Sequence, residues 1–194
     1  MYSLILDSST KKLYVSLVND NKVLFEKYID GRNDHAKNIV STVDLALKSN
    51  NIEAKDLSKV IVGYGPGSYT GVRMAVTVAK MITSFMNIEL YTISTLKLMA
   101  SGYKGTVKVL IDARRGNAFA GVFDMDNNKD VLAEGMYSYE KLNEFMFDTI
   151  DENNFVVDPI KCINLAAKVD EIDLLVPNYL RDTEAERNLK WLEK

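Results

Sequence analysis

Val60-Ile61-Val62-Gly63-Tyr64-Gly65-Pro66-Gly67-Ser68-Tyr69-Thr70-Gly71-Val72-Arg73 joins a short apolar run to a long one almost entirely through turn residues. Val60 to Val62 predicts a buried strand, and Val72 to Phe85 predicts a helix that is apolar on most sides. The backbone must reverse between them. Glycine permits the reversal and lets other backbone come close, and Pro66 stiffens it. Ser68, Tyr69 and Thr70 set hydroxyls beside the unpaired amides of the new helix, whose positive end suits an anion. The loop is neither of the two common phosphate-binding patterns. A P-loop ends in Gly-Lys-Ser/Thr, and here Val72 follows Gly71. The dinucleotide fingerprint needs its third glycine one position earlier than Gly71. Two readings stay open: an anion or nucleotide loop, and a tight turn that binds nothing.

Working outward, three strands are expected before this junction: Ser3 to Asp7, Leu13 to Val18 and Lys22 to Ile29, with Asn19-Asp20-Asn21 as the second reversal. Asp34 through Leu47 sets Ala36, Ile39, Val40, Val43, Ala46 and Leu47 on one helical face, with Asn33 or Asp34 as N-cap. A strand at Leu90 to Ile93 and a helix opened by Ser94 or Thr95 follow the loop and its helix. The programme then starts again. Asp7 and Asp112, Tyr14 and Phe119, and Leu17 and Val122 keep one spacing without a gap. Val107 to Asp112, Ala118 to Phe123 and Val131 to Ala133 are the expected strands. Helices from Tyr139 to Phe147, capped by Ser138, and from Pro159 to Lys168 flank a strand at Phe155 to Val157. Two βββαβα units in one chain predict an α/β fold of duplicated ribonuclease-H-like architecture, the ASKHA plan of actin, sugar kinases and heat-shock chaperones. The expected halves are residues 1–102 and a trimmed 103–194 ending in a tail helix. In that plan the first two strands of each half turn toward a cleft, which makes Asp7 and Asp112 candidate cleft carboxylates able to hold magnesium through water.

Composition narrows the chemistry. The chain has 194 residues, 47% of them hydrophobic, enough for a sizeable core, and a net charge of −3 that argues against gripping nucleic acid by a general basic field. One cysteine, Cys162, excludes an internal disulfide framework, and one histidine, His35, leaves no multi-histidine metal site. The opening residues carry no basic n-region, and Arg73 and Lys80 interrupt the longest apolar stretch. The expectation is a cytoplasmic protein without a membrane span.

The Gly65-Pro66-Gly67-Ser68-Tyr69-Thr70-Gly71-Val72-Arg73 stretch resembles the Gly-Pro-Gly-Ser-Phe-Thr-Gly-Leu-Arg of the TsaB (YeaZ) family. Asp7-Ser8-Ser9-Thr10, Arg32 with His35, Asp112-Ala113-Arg114 and Pro177-Asn178-Tyr179-Leu180-Arg181 extend the likeness over essentially the whole chain. The resemblance implies a non-catalytic partner of TsaD, the paralogue that transfers a threonylcarbamoyl group to the anticodon-adjacent adenosine of tRNA. The ATPase TsaE joins that assembly, and tRNA is met through the complex. It implies no intrinsic cofactor here, with ATP or ADP and metal on the partner subunits. TsaD-like proteins use a His-x-x-x-His metal pair, which one histidine cannot supply. Asp7-Ser8-Ser9-Thr10 lacks the glycine of the kinase Asp-x-Gly-Thr phosphate loop.

If recognition is the task, the two early helices are the expected partner surface, toward TsaD or a second copy. The residues assigned to it are Ile39, Val43 and Leu47 on the first helix and Met74, Val78, Met81, Ile82 and Phe85 on the second. The loop residues Gly65, Pro66, Gly67, Ser68, Tyr69, Thr70, Gly71 and Arg73 are then a complex-stabilising element. The competing reading is a small phosphotransferase or ATPase working in the cleft with Asp7 and Asp112.

Overall fold

The computed structural model describes residues 1–31 and 35–180. The first half forms β1 (Tyr2–Asp7), β2 (Lys12–Asn19), β3 (Lys22–Asp30), α1 (His35–Lys48), β4 (Leu57–Gly63), α2 (Tyr69–Met86), β5 (Glu89–Ile93) and α3 (Thr95–Ala100). The second forms β6 (Thr106–Arg114), β7 (Asn117–Asp124), β8 (Lys129–Ser138), α4 (Tyr139–Leu142), β9 (Asp148–Ile150), α5 (Pro159–Leu165) and β10 (Ala167–Lys168). Serine and aspartate side chains start α2, α3, α4 and α5. Ser68 Oγ accepts from the Gly71 amide at α2, Ser94 Oγ from Leu96 and Lys97 at α3, and Asp158 from Ile160 and Lys161 ahead of α5, where Pro159 needs no partner.

Two mixed sheets result. One has the order β10-β5-β4-β1-β2-β3 and the other β8-β7-β6-β9. Their faces sort by the two-residue period of a strand. Leu4, Leu6, Leu13, Val15 and Leu17 pack with Ile39, Val43, Ala46 and Leu47 of α1 and with Val72, Ala75, Val76 and Ala79 of α2. The opposite face, through Ile5, Tyr14, Val18 and Ile61, meets α3, Cys162 of α5, and Val107, Val109, Ile111, Phe119 and Phe123 of the second sheet. The layers run helices, sheet, helices, sheet, which is the ribonuclease-H-like duplicated α/β plan. Among the described residues no helix is long and apolar enough to cross a membrane.

The second half departs from the expected echo in three places. Helix α4 stops at Leu142 rather than Phe147, because the buried Lys108 ammonium donates to the carbonyls of Leu142 at 3.3 Å and Phe145 at 3.0 Å. The last strand of the sheet is Asp148–Ile150, parallel to β6. Phe155 to Val157 is off the ladder, with Phe155 and Val157 buried in the layer between the sheets. Helix α5 ends at Leu165, and Ala167–Lys168 crosses back to pair antiparallel with β5 of the first sheet. The expected N-caps Asn33 and Asp34, together with Arg32, Arg181 and the tail helix, lie outside the described residues.

Candidate functional site

The glycine loop is a place where three pieces of the same chain meet. A Cβ on Gly71 would sit 1.9 Å from the Ser8 carbonyl oxygen, one on Gly67 2.3 Å from the Ser9 carbonyl oxygen, and one on Gly65 2.3 Å from that of Asn178. Only the missing side chains allow the approach, and Gly65 also holds a φ of 104° that other residues rarely adopt. Hydrogen bonds close the same junction. The Ser68 amide donates to Ser9 O at 2.7 Å, Ser8 Oγ donates to Gly71 O at 2.7 Å, and the Asn178 amide donates to Tyr64 O at 2.7 Å. Thr95 and Gly65 exchange two bonds, the Thr95 amide to Gly65 O at 2.9 Å and the Gly65 amide to Thr95 Oγ1 at 3.2 Å. Pro66 is buried with a cis bond to Gly65. Thr70 is exposed in the first turn of α2. At the mouth of the loop Tyr69 stacks on Tyr179 at 4.9 Å, and Arg73 Nη1 donates to the Tyr69 hydroxyl at 2.9 Å. The Tyr179 contribution was carried in the sequence only by its place in the Pro177 to Arg181 motif.

Asp7 ends β1 inside this junction. One of its oxygens accepts from the Ser9 amide at 2.7 Å, and the other from Thr95 Oγ1 at 2.7 Å and Ser9 Oγ at 3.3 Å. Gly63 makes room for it, since a Cβ there would fall 1.7 Å from Asp7 Oδ2. Asp112 is different. The pairing is Asp7 with Tyr14 in the first hairpin but Asp112 with Ala118 in the second, one residue short of the gapless repeat. A slip of one residue turns every side chain to the other face. Asp7 accordingly shares the face of Ile5, toward the second sheet, whereas Asp112 shares the face of Leu110, which packs with Ala118, Ala120 and Leu142 on the far side. There its carboxylate accepts from the Arg114 amide at 2.9 Å and the Tyr139 hydroxyl at 3.5 Å. The expectation that both carboxylates face one cleft is corrected by that register. Among the described residues no group of three or more His, Cys, Asp or Glu is placed to hold a metal ion.

The helical flank divides by burial. Ile39, Val43 and Leu47 are core, packed under the first sheet, and the expectation that they form a partner surface is corrected: their face of α1 is spent on the sheet. Met74, Val78 and Ile82 are half-buried against the same core. Met81 is 53% exposed and Phe85 77% exposed on the outer side of α2, and Met86 is exposed at the end of the helix. Val40 at 61% and Leu45 at 45% stand on the outer side of α1. Sequence periodicity missed Leu45 and assigned Val40 to the buried face. Burial also disposes of Cys162, whose thiol is pushed up to about 12 chiefly by desolvation and is inert as a nucleophile near neutral pH.

The fold and this junction define a chain of the duplicated ribonuclease-H-like class, with α1 and α2 on the outer face of its first sheet. The family model described as TsaD, tRNA N6-adenosine threonylcarbamoyltransferase, matches residues 29–156. The tRNA threonylcarbamoyladenosine biosynthesis protein TsaB of Bacillus subtilis (strain 168) is 28% identical, over 100% of this chain and 99% of its own length. The protein of that name from Escherichia coli (strain K12) is 31% identical over 66% of this chain and 57% of its own. The solved structure of YeaZ from Pseudomonas aeruginosa superposes with a TM-score of 0.75 at 18% identity, covering 92% of this chain and 99% of that one. The chain belongs to the TsaD family and, within it, to its TsaB (YeaZ) branch.

Proposed function

We propose that this chain works in tRNA threonylcarbamoyladenosine biosynthesis as a non-catalytic partner subunit. It binds a TsaD-like paralogue and joins a TsaE-like ATPase in the assembled complex, and it meets tRNA mainly through that complex. ATP or ADP and metal sit on the partner subunits. The protein acts in the cytoplasm and pairs with a second copy of itself when no paralogue is at hand. The observation that carries the reading is Met81 and Phe85, one turn apart and exposed on the outer side of α2, with Val40 and Leu45 exposed on the neighbouring α1. Large apolar side chains left in water one helical turn apart suit burial against another protein. The glycine junction supports the reading as well. It ties the start of α2 to the β1–β2 turn and to Asn178 and Tyr179, so the helix is presented rigidly. A phosphotransferase would need Asp7 free to work on magnesium, and Asp7 serves own-chain donors instead.

The test is to mix the purified chain with its TsaD-like paralogue and follow mass by light scattering, while assaying phosphate release by the chain alone. The expected result is a stoichiometric complex and no turnover. Absence of a complex under every nucleotide condition, or robust hydrolysis by the isolated chain, overturns the proposal.

A further inference from the structure

The turn between β1 and β2 presents the Lys11 amide and ammonium toward the second half, and a carboxylate from that half meets both. The Lys11 amide donates to Glu152 Oε1 at 2.8 Å, and Lys11 Nζ lies 3.5 Å from Glu152 Oε2. The Glu152 side chain is only 11% exposed, so the pair is not an ordinary surface contact. The neighbouring amides are spent too, Ser9 on Asp7 Oδ1 at 2.7 Å and Lys12 on Thr10 Oγ1 at 3.1 Å.

The contact continues as a seam. Lys12 Nζ donates to Asn153 O at 3.3 Å and stands 5.4 Å over the Phe155 ring. Phe155 meets Tyr28 of β3 edge-on at 5.7 Å, and the Val157 amide donates to the Tyr28 hydroxyl at 2.9 Å. The segment that carries Glu152 is held in shape by its own bonds. Asp151 Oδ1 accepts from the Asn153 amide and Asn154 Oδ1 from the Asp151 amide, both at 2.8 Å, while Tyr103 donates its hydroxyl to Asn154 O. A rigid segment of one half therefore delivers a charged oxygen to a donor cluster on the other.

An amide and an ammonium converging on one carboxylate are donors an oxyanion takes up, phosphate included. We propose that Glu152 is an internal oxyanion that fills the donor cluster of the β1–β2 turn and latches the two halves together. A phosphate-type anion is thereby kept off the Lys11 donors of this turn. The inference rests on the fold and these contacts alone, independent of any partner.

The experiment compares the full chain with Glu152→Ala and Glu152→Gln by amide hydrogen exchange, with and without inorganic pyrophosphate. In Glu152→Ala, exchange at Lys11 and across residues 151–157 rises roughly ten- to a hundredfold while β1 and β6 stay protected. Added pyrophosphate at millimolar concentration restores protection at Lys11 in this variant and has no effect on the wild-type chain. Glu152→Gln keeps an oxygen for the amide, so its Lys11 exchange lies between the two. It carries the comparison should the alanine variant fail to fold. Unchanged exchange in the variants overturns the latch. Pyrophosphate protecting Lys11 equally in wild type and variant overturns the assignment of Glu152 as the resident anion.

Discussion

Phe85→Ala separates a docking residue from a packing residue. Phe85 is 77% exposed, so of the roughly 200 Å² that an aromatic side chain carries, about 150 Å² remains for a partner to cover. At about 25 cal/mol per Å² this is about 4 kcal/mol of gross burial, and ordering costs at the interface leave about 2 kcal/mol. Affinity for the TsaD-like paralogue should therefore fall roughly thirtyfold. The chain diluted to its monomeric form should hardly notice, because there the side chain is already in water and alanine suits a helix better. Its stability should change by no more than about 0.5 kcal/mol, or roughly 1–2 °C in Tm. Isothermal calorimetry gives the affinity and a thermal melt gives the stability. An unchanged Kd refutes Phe85 as a contact, and a Tm loss beyond about 5 °C with intact binding would make it a packing residue instead.

Gly71→Ala places a methyl 1.9 Å from the Ser8 carbonyl, a backbone atom that cannot swing aside. The loss should be about 3 kcal/mol, or roughly 6–12 °C in Tm, and a melt within 2 °C of wild type would show that the junction is not tight. Glu134 offers a pH test, since burial raises its pKa while Ser94 and Lys97 oppose the shift. Its folded pKa lies above the unfolded one, so its contribution to stability is fully present below the unfolded pKa and is lost as pH rises through the folded value. Glu134→Gln removes that loss. The Tm difference, variant minus wild type, should therefore grow between pH 4 and pH 8, and a difference that is flat or shrinking with pH contradicts the assignment.

Most elements were legible because their signals are local. Alternation along β2, the helix starts at Ser94, Ser138 and Pro159, and the glycine run before α2 each act within a few residues. The failures share a cause as well. Helix α4 was cut short by Lys108, which lies on a strand far away in sequence. Phe155 to Val157 has strand-like residues but spends them on Tyr28. Neither partner is visible in a local window. Glu152 left no signal at all, since a lone glutamate in a polar stretch resembles any solvated one.

The class of fold and the family are readable from the residues alone, because periodicity and the Gly65 to Arg73 motif are properties of neighbouring residues. Only the tertiary structure decided what the glycines admit, where Asp112 points and which side of α1 and α2 meets solvent. The glycines admit Ser8, Ser9 and Asn178 of the same chain. A hairpin one residue out of register carries Asp112 to the opposite face from Asp7. The α1 face assigned to a partner lies on the sheet. Close approach, pairing register and burial are relations between distant segments, fixed only when the layers come together.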